Sequence, residues 1–188
     1  MKNVSISVSD LKTVVEALET GGITMADILV LINKKENNQA KEKIDEVALT
    51  IDYSRTLQEM INAGNYGWTN SNITEKHFPL PTELNGKNVP VSTKLFHFNR
   101  SISSTDATSE MDKAGYRPAT LAELLALGEV NPELQKKFPI VALGSVWRDA
   151  SDGRDVPVLD FDGNRRKLYL VWFDDGWPDD CRFLGVCK

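Results

Sequence analysis

Apolar residues follow a helical spacing in the first part of the chain. Two short amphipathic helices are predicted there, one over residues 10–20 and a second beginning at Thr24, with Gly21-Gly22 between them. Such a pair cannot bury its apolar stripes alone and must dock on another part of the protein. The charged, amide-rich segment 34–45 is either a solvated helical extension or a linker, and its charge favours a solvated position. We therefore interpret residues 1–45 as a helical N-terminal appendage.

The pattern changes near residue 46, where apolar positions begin to alternate as they do in β-strands. Capping residues followed by apolar positions three or four apart predict short helices between these strands. The predicted order is a strand at 47–53, a helix capped by Ser54 with Leu57, Met60 and Ile61 inward and Gly64 at its end, an ordered loop at 65–90, a strand at 91–98, a helix capped by Ser103 or Ser104 that ends near Gly115, a helix at 121–127 capped by Thr120, and a buried strand at 138–144. This order predicts one α+β domain over residues 46–188.

The C-terminal segment, residues 147–188, has a composition of its own. It holds 7 of the 15 aromatic residues and 9 aspartates. Short strands are predicted at 156–159, 167–173 and 182–187, with turns at Gly153, Gly163 and Gly176. Aromatic rings and charged groups on short, turn-connected strands are typical of a recognition surface. The alternative is a small antiparallel sheet whose aromatic residues all belong to a core.

Composition and charge exclude several classes of protein. Of the 188 residues, 41% are hydrophobic and 26% charged, which is typical of globular chains and not of disordered ones. The net charge of -5 argues against a nucleic-acid-binding surface. The sequence has neither an apolar run long enough to span a membrane nor a signal-peptide pattern. We therefore expect no nucleic-acid or membrane partner, and a cytoplasmic location, with a phage particle or an unusual export route as alternatives.

Residues that could support catalysis or metal binding are sparse and scattered. Cys181 and Cys187 are too few for a disulfide framework or a four-cysteine zinc site. His77 and His97 lie far from them in the sequence and are predicted to be structural. No Gly-x-Ser-x-Gly, phosphate-loop or His-Glu-x-x-His sequence occurs. We therefore predict a protein that is not an enzyme, with no catalytic residues, no metal ligands and no cofactor.

Two segments carry a resemblance to known proteins. Residues 115–124 read Gly-Tyr-Arg-Pro-Ala-Thr-Leu-Ala-Glu-Leu, and residues 181–186 read Cys-Arg-Phe-Leu-Gly-Val. The first resembles the entry into a helix, and the second the closing strand, of formylglycine-generating-enzyme-type proteins. The order of predicted elements over roughly residues 90–188 is similar to the C-type lectin fold, which the variable proteins of diversity-generating retroelements also use. The resemblance implies a C-type lectin-like domain over residues 46–188, with a variable-type segment at about 147–188.

The resemblance also implies how the last segment is used. In such variable proteins a reverse transcriptase diversifies chosen codons whose side chains lie on an exposed sheet face. Here Leu168, Leu170 and Trp172 are expected to be scaffold, while the alternate positions from Tyr169 to Phe173 are displayed. The opposite arrangement stays open, because both sets are apolar.

Several differences from these families argue against an oxidase and against a calcium site. Cys181 and Cys187 would lie roughly 20 Å apart on a strand, too far for the copper-binding cysteine pair of a formylglycine-generating oxidase. Residues 177–180 are only loosely similar to the calcium motif of sugar-binding lectins. Residues 160–164 resemble the start of a cation loop, but its twelfth position would be Val171 rather than glutamate. A hairpin turn explains these residues more simply than calcium does.

We therefore expect a receptor-like variable protein that displays a diversifiable ligand-binding surface. The alternative is a non-catalytic structural or interaction domain of the same fold without diversification. The expected partner is a protein or another macromolecule, polar or basic because the surface is acidic. The predicted binding residues, expected to form one contiguous exposed patch, are Arg148, Asp155, Asp160, Phe161, Tyr169, Val171, Asp175, Pro178, Asp179 and Asp180.

Two structural roles are predicted as well. Trp172, Phe183, Leu168 and Leu170 are expected to be mostly buried. Arg117 precedes a proline and lies just before the predicted cap of the helix at 121–127. Its guanidinium is therefore expected to fork onto a carboxylate or onto loop carbonyls, and so to tie this helix to the sheet.

Overall fold

A computed structural model describes residues 46–188 of the chain. The helices predicted for residues 1–45 lie outside the described residues. The domain mixes helices and a large sheet, so the α+β class is confirmed. Among its helices, none combines the length and apolar character that crossing a membrane requires.

Eleven strands and three α-helices make up the described residues. The strands are β1 (Glu46–Asp52), β2 (Trp68–Thr69), β3 (Asn88–Phe96), β4 (Ile102–Ser103), β5 (Tyr116–Pro118), β6 (Ile140–Val141), β7 (Trp147–Arg148), β8 (Arg154–Phe161), β9 (Arg166–Trp172), β10 (Gly176–Trp177) and β11 (Arg182–Cys187). The helices are α1 (Leu57–Ala63), α2 (Ser104–Lys113) and α3 (Leu121–Val130), and two short 3-10 helices cover Thr82–Leu84 and Leu134–Lys136.

Nine of these strands form one sheet in the order β1-β3-β11-β6-β8-β9-β2, with β5 paired to β11 and β7 paired to β8. The remaining two, β4 and β10, form a small antiparallel pair. The C-terminal strand β11 thus lies inside the sheet, antiparallel to β3 and parallel to β6. Strands β8 and β9 form an antiparallel hairpin in which Leu159 lies opposite Leu168.

Most predicted elements are confirmed, although several begin or end at other residues: the strand predicted at 91–98 is Asn88–Phe96, α3 continues to Val130, and β8 is longer than predicted. Helix α1 is capped by Thr56 rather than Ser54, because the Thr56 hydroxyl accepts from the Glu59 N–H while the Glu59 carboxylate accepts from the Thr56 N–H. Its inward residues and its end at Gly64 are as predicted. The strand predicted at 138–144 has strand geometry only at Ile140–Val141, although burial continues to Leu143.

Two hydrophobic cores cover the sheet, one on each face. The first core packs α1 and α3 against one face and includes Leu57, Leu124, Leu159, Leu168 and Leu184. The second core packs α2 against the opposite face and includes Met111, Val156, Val158, Trp177 and Phe183. Strands with apolar residues on both faces are typical of sheets buried on both sides. We call the side of β8 and β9 that carries Leu159 and Leu168 the first face, and the side that carries Val156 and Val158 the second face.

The predicted fork of Arg117 is confirmed. Its Nη2 lies 2.6 Å from Glu123 Oε1 and its Nη1 lies 3.0 Å from Glu123 Oε2. Glu123 is only 3% exposed, and its carboxylate also accepts from the Thr120 N–H at 2.7 Å. The Arg117 pKa is raised, first by its hydrogen bond to Glu123. One carboxylate therefore caps α3 and ties it to β5, which pairs with β11.

Candidate functional site

The predicted binding residues do not form one contiguous exposed patch. Residues directly opposite each other on antiparallel strands share a face, and neighbours along a strand alternate. Asp155 and Phe161 therefore lie on the first face of the hairpin, whereas Asp160, Tyr169 and Val171 lie on the second. The prediction that all ten residues converge is wrong, because both faces of the hairpin pack on a core.

Five of the ten residues are also less accessible than predicted, since Asp160 and Phe161 are half-buried as well as the three described next. Asp155 is 8% exposed, so it is a buried carboxylate and not a surface group. Tyr169 and Val171 are half-buried and pack against the second core. These two residues are therefore part of the scaffold rather than displayed.

Five of the ten residues are exposed. Arg148 lies on β7, where its Nη1 is 2.8 Å from Asp152 Oδ1, and Asp175 lies in the turn after β9. The loop between β10 and β11 carries the others, Pro178, Asp179 and Asp180. His97 Nε2 lies 2.7 Å from the Asp179 carbonyl, so it donates to it and holds this loop. These residues are distributed over β7, the turn after β9 and the loop between β10 and β11.

Tyr169, on the second face of the hairpin, lies near the carboxylates of Asp160 and Asp180. Burial raises the pKa of Tyr169 to about 12, and the charges of Asp160 and Asp180 act in the same direction. Burial also raises the pKa of the Cys181 thiol to about 11, which makes it a poor nucleophile at neutral pH. Both cysteines are free, with Cys181 buried and Cys187 exposed.

The segment at 160–164 forms the predicted hairpin turn. Gly163 has a φ of 88°, a conformation that favours glycine, and it lies in the turn between β8 and β9. The Asp162 carboxylate accepts from the backbone N–H of Asn164 at 3.1 Å and of Arg165 at 2.9 Å. These hydrogen bonds lower the Asp162 pKa, so the carboxylate serves the turn. Within residues 46–188, no group of three or more histidine, cysteine or acidic residues is placed to hold a metal ion.

The predicted burial of β9 is correct for one end and wrong for the other. Leu168 is buried, and Leu170 is half-buried against the first core, while Phe183 is buried in the second core. Trp172 is 60% exposed, contrary to the prediction. It is the last residue of β9 and shares a face with Leu168 and Leu170.

A row of three side chains crosses the first face at this end. Trp147 on β7 lies opposite Asp155 on β8, and Asp155 lies opposite Trp172 on β9. We call these three residues the Trp–Asp–Trp row. The Trp147 ring stacks on His77, with centroids 4.6 Å apart and planes at 18°. His77 Nδ1 lies 2.8 Å from the Asn72 carbonyl, so that nitrogen donates and the ring is held in place.

Asp155 has an unusual environment in this row. Its carboxylate makes no hydrogen bond or ion pair with any residue in the 46–188 segment, although the residue as a whole is only 8% exposed. Its pKa is raised, first by burial and then by the negative charge of Asp149. Asp149 itself accepts hydrogen bonds from Ser151 and from the Gly153 N–H, which lower its pKa. Two carboxylates therefore lie near this end of the sheet, and neither forms an ion pair with another residue of the 46–188 segment.

Sequence reasoning missed the role of Trp147 and of His77. A signal for Trp147 was present, because Asp149, Ser151 and Gly153 are typical of an Asx-type turn. A tight turn centred on Ser151 places Trp147 opposite Asp155. No local signal connects His77 to this row, since 70 residues of sequence separate the two stacked rings.

Comparison with protein-family models, with curated proteins and with solved structures finds no match to the chain.

Proposed function

We propose that residues 46–188 form a non-catalytic ligand-binding domain whose binding surface is centred on the Trp–Asp–Trp row. The observation that carries this proposal is Trp172, a tryptophan 60% exposed on a regular strand beside Asp155, whose carboxylate has no hydrogen-bond or ion-pair partner among residues 46–188. An exposed indole costs hydrophobic free energy that a binding partner recovers. Tryptophan is also the residue type most enriched where interfaces concentrate their binding energy.

The scaffold we propose is C-type lectin-like. The element order that the resemblance implies, from a strand through two helices and a buried strand to a β-rich tail, corresponds to β3, α2, α3, β6 and the strands that follow. The arginine and the threonine of the resembling segment hold α3 through Glu123. These features support the scaffold, and the proposed partner is a protein or another macromolecule.

We also propose that diversification, if the gene undergoes it, is limited to the exposed positions of the C-terminal segment. Arg148, Asp175 and the loop at 178–180 can change with little cost, since surface substitutions usually stay within about ±0.5 kcal/mol. Asp155, Tyr169 and Val171 cannot, because they are buried or half-buried. This burial favours the alternative, an interaction domain of the same fold without diversification.

The neighbourhood of the gene separates these two candidates. A diversified protein requires a reverse transcriptase gene nearby and a near-repeat of the 3′ end that differs at adenines. We expect any such differences to fall on codons for exposed residues and to spare Leu168 and Phe183. A neighbourhood without both features would leave the undiversified interaction domain as the function.

A peptide selection tests the binding surface. Random peptides displayed on phage are selected on the immobilised full chain, and enriched peptides are measured against the Trp172→Ala variant. We expect this variant to weaken their binding by at least tenfold, because an exposed tryptophan anchors the interface.

Trp68→Ala is the matched control for this selection. Trp68 is the other exposed tryptophan, 41% exposed, and it lies on β2 opposite Lys167, on the second face. Its replacement should leave the binding of the peptides unchanged. Peptides that bind both variants equally well, or a selection that enriches none, would contradict the proposed surface.

A further inference from the structure

We propose that the group recognised at the Trp–Asp–Trp row is an alkylammonium ion, held by the Asp155 carboxylate between the indoles of Trp147 and Trp172. This inference rests on the proposed function and names the chemistry of its ligand. Three kinds of ligand carry such a group: a lysine side chain, a methylated lysine side chain and a free quaternary ammonium compound.

The spacing of the row fits one cation. Trp147 and Trp172 lie on the strands either side of β8, so their backbones are two strand spacings apart, roughly 10 Å. A cation attracted to an indole face lies within about 6 Å of the ring centroid. A cation above Asp155 therefore lies within reach of both rings at once. Side chains directly opposite each other in antiparallel strands have Cβ atoms about 4.5–5.5 Å apart, which places the carboxylate at the base of the same space.

The carboxylate of Asp155 has no cationic partner among the described residues, although two arginines lie close to it in the sequence. Arg148 and Arg154 alternate with the row along β7 and β8 and therefore point to the second face. Each is paired there with an aspartate, Arg148 with Asp152 and Arg154 with Asp174. On the first face, Asp155 has no ion pair with a described residue, and Asp149 adds a second negative charge nearby. Asp155 is only 8% exposed as a residue, so its carboxylate is partly withdrawn from water, and a bound cation would offset that loss of hydration.

Other ligand classes fit the row less well. A calcium ion needs six to eight oxygen ligands, and no metal-ligating cluster occurs among residues 46–188. A neutral apolar group would fill the space between two indoles but would leave the carboxylate unpaired. The stack of Trp147 on His77 holds one wall in advance, which reduces the ordering cost of binding a small charged group.

Titration of the tryptophan indole resonances tests the inference directly. The full chain, labelled with nitrogen-15, has four indole N–H signals, from Trp68, Trp147, Trp172 and Trp177, which Trp→Phe variants assign. Choline is the cationic probe, and 3,3-dimethylbutan-1-ol is its neutral counterpart of the same shape. We expect choline to shift the signals of Trp147 and Trp172 and the neutral alcohol to shift neither. Trp68 and the buried Trp177, whose indole donates to Ser104 Oγ, are internal controls.

Two variants test the roles of the carboxylate and the ring. Asp155→Asn keeps the shape of the side chain and removes its charge, and we expect choline to bind at least tenfold more weakly. Trp172→Leu keeps an apolar side chain and removes the indole, and should weaken choline several-fold. Because Trp172 is exposed, the second variant stays informative even where Asp155→Asn does not fold. An unshifted Trp177 signal reports that each variant is folded.

A second arm of the titration identifies the source of the cation. N-acetyl-lysine methylamide and its trimethyllysine counterpart are compared with choline at equal concentration. Tighter binding of either lysine derivative assigns the cation to a protein partner, whereas tighter binding of choline assigns it to a small molecule, and both results support the inference.

Several outcomes would overturn it. Equal shifts with choline and with the neutral alcohol would make the row a simple apolar patch, and full affinity in Asp155→Asn would remove the carboxylate from the site. Peptides that depend on Trp172 but carry no lysine would refute the alkylammonium ligand while leaving the proposed binding surface intact. Absence of any Trp172-dependent peptide would instead contradict the binding surface itself.

Discussion

Replacing Leu168 with alanine is expected to lower the free energy of unfolding by about 2–5 kcal/mol, the range for large-to-small changes in a core. Leu168 is fully buried in the first core and lies opposite Leu159 in the β8–β9 hairpin. Its truncation leaves a cavity between the sheet and the helices that pack on it, which the surrounding side chains fill only in part. Urea denaturation of the full chain and of the variant measures the difference.

Trp172→Ala is the matched variant on the same face of the same strand. Its side chain is 60% exposed, so we expect the free energy of unfolding to change by less than about 0.5 kcal/mol. The pair therefore separates a scaffold position from a binding position only four residues away. A loss of stability in Trp172→Ala as large as that in Leu168→Ala would make Trp172 a core residue and would contradict the proposed surface.

Replacing Arg117 with methionine is expected to cost about 3 kcal/mol, at the low end of the range for a broken buried pair because water reaches the Arg117 side chain. The change leaves the Glu123 carboxylate buried and without its cation. Arg117→Lys keeps the charge but loses the two-pronged geometry, so its loss of stability should be smaller. Thermal denaturation should show a fall of roughly 2–4 °C for each kcal/mol in a chain of this size.

The control for this prediction is Arg148→Met. Arg148 pairs with Asp152 on an exposed turn, where ion pairs contribute little, so its melting temperature should equal that of the unaltered chain. Equal melting temperatures for the Arg117 and Arg148 variants would show that the fork onto Glu123 does not stabilise the domain.

Local features of the domain could be predicted because local interactions decide them. Thr120 and Glu123 form the start of α3 through hydrogen bonds across three residues, and the Asp162 carboxylate closes its hairpin turn with neighbouring N–H groups. The fork of Arg117 was predictable for the same reason, since its partner lies six residues away. Such contacts need no knowledge of the rest of the chain.

The candidate site was only partly predictable, because its residues meet through the sheet. Alternation along β9 divides its apolar residues into two sets, one on each face of the strand. It does not show which of the two faces is covered by a core, and in the structure a core packs on each of them. Asp155 is charged, and its sequence context predicted an exposed side chain. The residue is nevertheless only 8% exposed, because it lies on β8 between β7 and β9. Burial depends on what packs above a residue, and no pattern along one strand contains that information.

The sequence by itself determined the α+β class, the caps of α2 and α3, the turns and the positions of most strands, since each depends on residues close together in the chain. Only the tertiary structure decided that Trp172 is exposed, that Asp155 lies between Trp147 and Trp172, and that His77 holds Trp147 in place. The physical reason is that strand pairing and stacking join residues far apart in sequence. Their register is set by the summed packing of the whole sheet and not by any one segment.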